Sequence, residues 1–236
     1  MSVFNSFPPK INQSHLVDWL KKNYSFLSKK SISLKSLNSE RDKNFLIDTN
    51  SNHKYVLKIS NSEESKNHLD LQDYVLDNLN KRQSLKKYIP ERVHPSLKVY
   101  LDNKNRKCYV RILSYIKGRM YASVKHNSSL EKSLGTLLGN LSKELKNLIK
   151  SSALRKFEWD PSNIRWIFKE VKMFKGKNKE IILKNLEEHN IFVTKNLNNL
   201  RFSLTHGDAN NYNLVVDKNK ISGLLDYGDM IYAPTI

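Results

Sequence analysis

Residues 204–230 read LTHGDANNYNLVVDKNKISGLLDYGDM. Two acidic sites, Asp208 and Asp226, stand at the edges of apolar runs, separated by the strand patterns NLVV (213–216) and ISGLLD (221–226) with DKNK as the turn. Asp, Asn and Gly are ordinary turn residues, so a polar hairpin accounts for either site taken alone. It accounts poorly for the ordered set, in which His206-Gly207-Asp208 is followed by Asn213 five residues after the Asp and by Asp226-Tyr227-Gly228 eighteen residues after it. A hydroxyl attacking a phosphoryl group needs an acceptor-only carboxylate beside it, and magnesium takes oxygen ligands such as a carboxylate and an amide. A hairpin would bring both to one edge. His206 is expected to orient its loop rather than take part in chemistry.

Upstream, Tyr55-Val56-Leu57-Lys58 reads as a strand ending on a lysine able to anchor nucleotide phosphates, as in the V-A-I-K strand of protein kinases. Its acidic partner is open among Glu63, Glu64, Asp70 and Asp73, with Gln72 where a Glu would be expected. No glycine precedes Gly118, so the G-x-G-x-x-G loop of protein kinases is absent. In its place stands LNSERDKNFLI, whose Ser39, Arg41 and backbone could meet phosphates as polar donors.

Periodicity organises the rest. SHLVDWLKKNYSFL (14–27) has helical spacing, with Ser14 as its expected N-cap. Alternation then marks strands at 31–37, 43–49, 54–60, 96–102 and 107–116, interrupted by an amphipathic helix over 68–82. Beyond Gly118 the spacing is helical over 129–149, with further helices expected at 163–174 and 179–200 before the closing strand pair. The expected division is an N-terminal helical extension (1–30), a β-rich N-lobe (31–118) and a helical C-lobe (119–236) carrying the hairpin.

A chain of 236 residues is long enough for one large domain or two modest lobes. No apolar run approaches the ~20 residues of a membrane span, and the N-terminus lacks the pattern of a secretory signal, so a cytoplasmic protein without membrane contact is expected. The single Cys108 cannot form an internal disulfide and reads as a strand residue; the seven histidines show no metal-ligand spacing. Lys and Arg total 41 against 23 Asp and Glu, a net charge of +18 that would attract polyanions. The basic residues are spread in short groups without any RNA-binding motif, so a nucleic-acid-binding role is the weaker alternative.

Taken together, SERDKNF (39–45), YVLKISN (55–61), RILSYIKG (111–118), LGTLLGNLSKEL (134–145), FEWDPSN (157–163), HGDANNYNLVV (206–216) and GLLDYGDM (223–230) resemble the aminoglycoside phosphotransferase and choline kinase superfamily. The resemblance is strongest to its hydroxylysine kinase branch, also found as the kinase-like domain fused to some class III aminotransferases. It implies an α+β, two-lobed protein-kinase-like fold, with a small antiparallel β lobe and a helical C-lobe. It further implies transfer of the terminal phosphoryl of ATP or GTP to a small acceptor with a hydroxyl and an amine. By that resemblance Asp208 is the catalytic base, Asn213 and Asp226 are Mg2+ ligands, Lys58 is the phosphate anchor, and Ser114-Tyr115-Ile116 is the hinge meeting the nucleotide base. Asp229 would assist the metal or face a substrate amine. Family members continue past this point with helices that complete the acceptor pocket, whereas the sequence stops eight residues beyond Gly228. A C-lobe lacking its final helices is therefore expected, with a truncated, non-catalytic nucleotide-binding protein as the alternative.

Overall fold

The computed structural model describes residues 6–51, 53–148, 150–155 and 157–235. The outer ends of the expected first and last segments, residue 52 in the turn before the third strand and residue 149 at the end of the expected 129–149 helix lie outside the described residues.

Five antiparallel strands form the main sheet: β1 (Ile32–Leu37), β2 (Lys43–Thr49), β3 (Lys54–Ile59), β4 (Lys98–Leu101) and β5 (Lys107–Ser114), in the order β1-β2-β3-β5-β4. Side chains alternate across a strand, and here the alternation separates two environments. Phe45, Ile47, Leu57, Ile59, Cys108, Val110 and Ile112 point to one face and are buried with Leu16, Leu20, Tyr24 and Leu27 of the N-terminal segment. Burying a leucine stabilises by about 1.5–3 kcal/mol, so Leu16, Leu20 and Leu27 hold that segment firmly on the sheet. Residues of the opposite register, Val56, Lys58, Arg111 and Leu113, face the other way, with Lys58 paired opposite both Asn44 and Arg111.

The first helix, α1 (Gln13–Asn23), is capped by Asn12, whose Oδ1 accepts from the Ser14 and His15 amides. The expected Ser14 cap is thus displaced by two residues, because Asn12 Oδ1 also accepts the Ser14 hydroxyl at 2.7 Å. Residues 25–27 follow as a separate 3-10 turn, since Tyr24 adopts an extended backbone.

Helix α2 (Lys66–Leu79) covers the second sheet face and buries two sides of itself. Leu71, Val75, Leu76 and Leu79 join a core with α3 (Ser128–Leu145) and the C-terminal strands. His68, Gln72 and Asp73 are also buried, and the latter two bond Arg111 of β5.

Beyond the sheet, β6 (Arg119–Met120) pairs with β8 (Leu214–Asp217), which pairs with β9 (Lys220–Leu224). Lys218 and Asn219 at the β8–β9 turn both have positive φ, as a two-residue hairpin of that hand requires. Asn219 is bonded by Asn127, the N-cap of α3, which fixes the hairpin against that helix.

A second pair, β7 (Phe202–Thr205) with β10 (Ile231–Pro234), was not anticipated from the pattern. Ahead of both strands, the helix expected over 163–174 shrinks to α4 (Ile167–Glu170) and a 3-10 turn. Trp166, Phe168, Met173 and Phe174 are exposed, so no buried apolar face extends it. The expected 179–200 helix is α5 (Gly176–Phe192) followed by a 3-10 stretch to Asn199.

Candidate functional site

A cleft of about 1100 Å3 opens between the second sheet face, α2 and the β8–β9 hairpin. All ten residues singled out from the sequence line it: Ser39, Arg41, Lys58, Ser114, Tyr115, Ile116, Asp208, Asn213, Asp226 and Asp229.

Asp208 sits in the loop after β7, held at both carboxylate oxygens. Asn210 Nδ2 donates to Oδ1 at 2.7 Å and Asn213 Nδ2 to Oδ2 at 2.8 Å. Asn213 Nδ2 also donates to the Asp208 carbonyl at 2.9 Å, so its amide nitrogen is committed and its amide oxygen faces away from that bond. Asn213 is itself fixed by Leu225, whose N–H donates to its carbonyl at 2.7 Å. The two acidic loops are therefore joined through backbone as well as through the hairpin.

His206 supports the same loop from behind. Its Nδ1 accepts the Asp208 amide, so it carries no proton, and Nε2–H donates to Leu225 O at 3.0 Å. The ring is buried edge-on to Tyr227, and desolvation draws its pKa below the usual value. Its hydrogen bonds tie the Asp208 loop to the end of β9. Gly207 is obligatory for a different reason: its φ is +80°, and a Cβ there would lie 2.2 Å from Asp229 O.

Asp226 follows β9 with φ of +54°, a left-handed backbone that costs a non-glycine residue about 1 kcal/mol or more and persists only where the surroundings enforce it. Its Oδ1 accepts from Lys58 Nζ at 3.0 Å and from the Gly228 amide at 3.2 Å. The Lys58 ammonium, its burial notwithstanding, holds the Asp226 carboxyl well below the usual carboxylate range. The carboxylate is enclosed by protein except toward the cleft, where 46% of the side chain stays open.

The partner of Lys58 is thus Asp226 itself. None of the helix candidates bonds it among the described residues: Asp70 pairs with Lys66, Asp73 with Arg92 and Arg111, Gln72 with Arg111, and Glu64 accepts from the Ser65 amide. Arg111, next to Lys58 in register, takes up the helix groups.

Arg41 and Asp229 meet each other at 2.6 Å, joining the loop after β1 to the loop after β9. The 38–42 loop is shaped without glycine: Ser39 Oγ accepts the Asp42 amide, Asp42 accepts the Asn61 amide, and Asn61 donates to Arg41 O. At the far end of the cleft, Ser114 is tied to Glu91 through backbone and side chain, and Tyr115 and Ile116 continue beyond the β5 ladder. A Cβ on Gly223 would strike Ile116 at 2.7 Å, so β9 lies directly under this segment.

Sequence reasoning passed over His68 and Arg155. His68 Nε2 lies 2.7 Å from Gly228 O and Arg155 Nη2 2.8 Å from the same carbonyl. A carbonyl only accepts, so Nε2 carries the proton. Neither residue falls in a local motif; they converge on backbone, for which sequence carries no signal.

Burial draws the His68 pKa down to about 4. An unfolded histidine titrates near 6.5, so between about pH 6.5 and 4 the unfolded chain binds the proton and the folded one does not. Stability is expected to fall as pH drops through that window, by up to about 3 kcal/mol from this group. Urea unfolding at pH 7 and pH 4.5 should show the loss, and His68→Gln should shrink it; an unchanged difference in the variant would refute the assignment to His68.

Burial pushes the Cys108 thiol up to about 11, so it is an inert core group. Among the described residues no helix is long and apolar enough to cross a membrane.

The fold is α+β and protein-kinase-like, as comparison with solved structures shows. The chain superposes on a microcompartment-associated aminopropanol kinase with a TM-score of 0.70 at 14% identity, covering 94% of this chain and 71% of that one. An amicoumacin kinase in complex with AMP-PNP and Ca2+ gives 0.65 at 14% identity, covering 93% and 68%. The model of the phosphotransferase enzyme family matches residues 33–236, and the chain belongs to that family. Hydroxylysine kinase of Xenopus laevis is 27% identical over 259 residues, covering 98% of this chain and 68% of the relative. The chain spans between 53% and 68% of the length of the hydroxylysine kinases it matches.

Proposed function

We propose that the chain transfers the terminal phosphoryl group of ATP or GTP to the hydroxyl of a small amine-bearing acceptor of the 5-hydroxylysine or amino-alcohol type. The observation that carries this is Asp208: a carboxylate fixed at both oxygens by amide donors, in the same cleft as the Lys58–Asp226 pair.

In this reading residues 31–118 supply the nucleotide lobe and 119–236 the catalytic one, with α1 of the 1–30 extension packed on the sheet. Ser114, Tyr115 and Ile116 border the base, Lys58 holds phosphate oxygens, and Ser39 and Arg41 cover them from the 38–42 loop. Asp208 takes the proton of the attacking hydroxyl. Asp229 faces the acceptor amine once Arg41 turns to the nucleotide.

The donor set suits Mg2+ carried by a nucleotide. Among the described residues no group of three or more His, Cys, Asp and Glu side chains could hold a metal unaided. Magnesium is commonly held by one or two carboxylates together with phosphates and water, and the Asp226 carboxylate and Asn213 amide oxygen fit that share. When bound, the ion neutralises charge on the transferred phosphoryl group.

A panel of 5-hydroxylysine and simple amino alcohols, each with ATP and GTP and Mg2+, tests the reading. Phosphorylated acceptor is expected with at least one pair. Nucleotide-induced thermal stabilisation without transfer would leave a nucleotide-binding protein instead, and no stabilisation by either Mg-nucleotide would remove the reading entirely.

A further inference from the structure

Two side chains distant in sequence converge on one backbone oxygen beside the proposed metal site. His68, from α2, and Arg155, from the segment after α3, both donate to the Gly228 carbonyl, at 2.7 and 2.8 Å. The N–H of the same residue donates to Asp226 Oδ1. Gly228 therefore links a pinned carbonyl on one side to the Asp226 carboxylate on the other.

The link bears on how Asp226 is oriented. Its side chain is open toward the cleft, and its backbone sits in the left-handed region. Lys58 Nζ and the Gly228 amide are the donors on Oδ1. A lysine ammonium on a flexible stem fixes distance better than direction. Direction comes from the Tyr227–Gly228 peptide, and the adjoining Gly228–Asp229 peptide is held by His68 and Arg155.

Both side chains are built for a fixed task. His68 is 3% exposed, and its Nδ1 is buried without a hydrogen bond. The Arg155 guanidinium lies 4.5 Å from the Phe157 ring centre, its Nε likewise buried and unbonded. Leaving buried polar atoms unsatisfied costs stability, commonly about 1–3 kcal/mol each. A residue serving stability alone would be better replaced by an apolar one, so the bond each does make is the reason for its presence.

We propose that His68 and Arg155 are positioning residues for metal binding, setting the Asp226 carboxylate through the backbone of Gly228. The proposal rests on the reading of Asp226 as a Mg2+ ligand. Groups that hold a metal ligand in place typically contribute about 10- to 100-fold to metal affinity.

The test reads metal binding without any acceptor. Mn2+ is titrated into the chain with saturating AMP-PNP and followed by electron paramagnetic resonance, for the wild type, Arg155→Met, His68→Leu, His68→Gln and Asp226→Asn. Thermal unfolding of the metal-free proteins reports folding. Arg155→Met and His68→Leu are expected to weaken Mn2+ binding about tenfold or more. His68→Gln, whose amide can still donate, should recover most of the loss. If Asp226→Asn abolishes Mn2+ binding while folded Arg155→Met and His68→Leu both bind as the wild type does, the positioning role is wrong and the metal site stands. If Asp226→Asn binds Mn2+ normally, the metal reading fails and the proposal with it. Should His68→Leu fail to fold, Arg155→Met decides the matter alone.

Discussion

Asp208→Asn is expected to lower phosphoryl transfer about a thousandfold while nucleotide binding changes little. A positioned general base contributes about 10²–10⁴ in rate, and an amide cannot accept the acceptor proton. The surroundings sharpen the expectation. Both carboxylate oxygens now accept from amide nitrogens, of Asn210 and Asn213. An asparagine at 208 would present its own NH2 to one of them, donor against donor. The Asn213 amide would then turn, so a secondary loss of metal affinity is expected, smaller than the loss of turnover. Asp208→Ala separates the two: it removes the base without a donor clash, and should match Asp208→Asn in turnover while binding Mg-AMP-PNP nearly as the wild type does. Turnover within tenfold of wild type in both variants would show that another group takes the proton.

The elements that sequence disclosed are those whose signal is local. Alternation in YVLKIS places Leu57 and Ile59 in the core and Lys58 on the cleft side, because a strand has period two. The spacing of Asp208, Asn213 and Asp226 is read directly, since a hairpin of fixed length separates them. What escaped is non-local. Strands β7 and β10 have four residues each and pair across more than twenty intervening positions, too short for a pattern to register. The helix expected around Trp166 fails for lack of an apolar face to bury. The carboxylate for Lys58 is left open by the sequence among residues of α2 and its approach, yet Arg111 occupies Gln72 and Asp73 and leaves Asp226 for Lys58. His68 and Arg155 serve a carbonyl, and no residue type marks a carbonyl in need of donors.

Lys58→Met is expected to separate stability from binding. The ammonium is largely buried, with 10% of its side chain exposed, whereas Asp226 is 46% exposed. Solvent screens the pair from one side, and methionine recovers the desolvation that a buried ammonium forfeits. Loss of such a pair is expected to change unfolding free energy by no more than about 1 kcal/mol. Nucleotide binding is another matter. A charge-assisted bond to phosphate contributes about 1.5–3 kcal/mol, or roughly 10- to 100-fold in affinity, and Lys58→Met should lose that much for ATP or GTP. A second signature follows from Asp226. Lys58 is the main reason its carboxyl stays ionised far into acid; without it, burial remains and raises the pKa. The acid limb of Mg-nucleotide binding should therefore move to higher pH in Lys58→Met, which titration of AMP-PNP binding between pH 4 and 8 would measure. A shift in affinity with no shift in the acid limb would mean that Lys58 meets phosphate without governing Asp226. A shift in the limb with unaltered affinity at pH 8 would mean the reverse, that Lys58 serves only as the counter-ion holding a metal ligand charged.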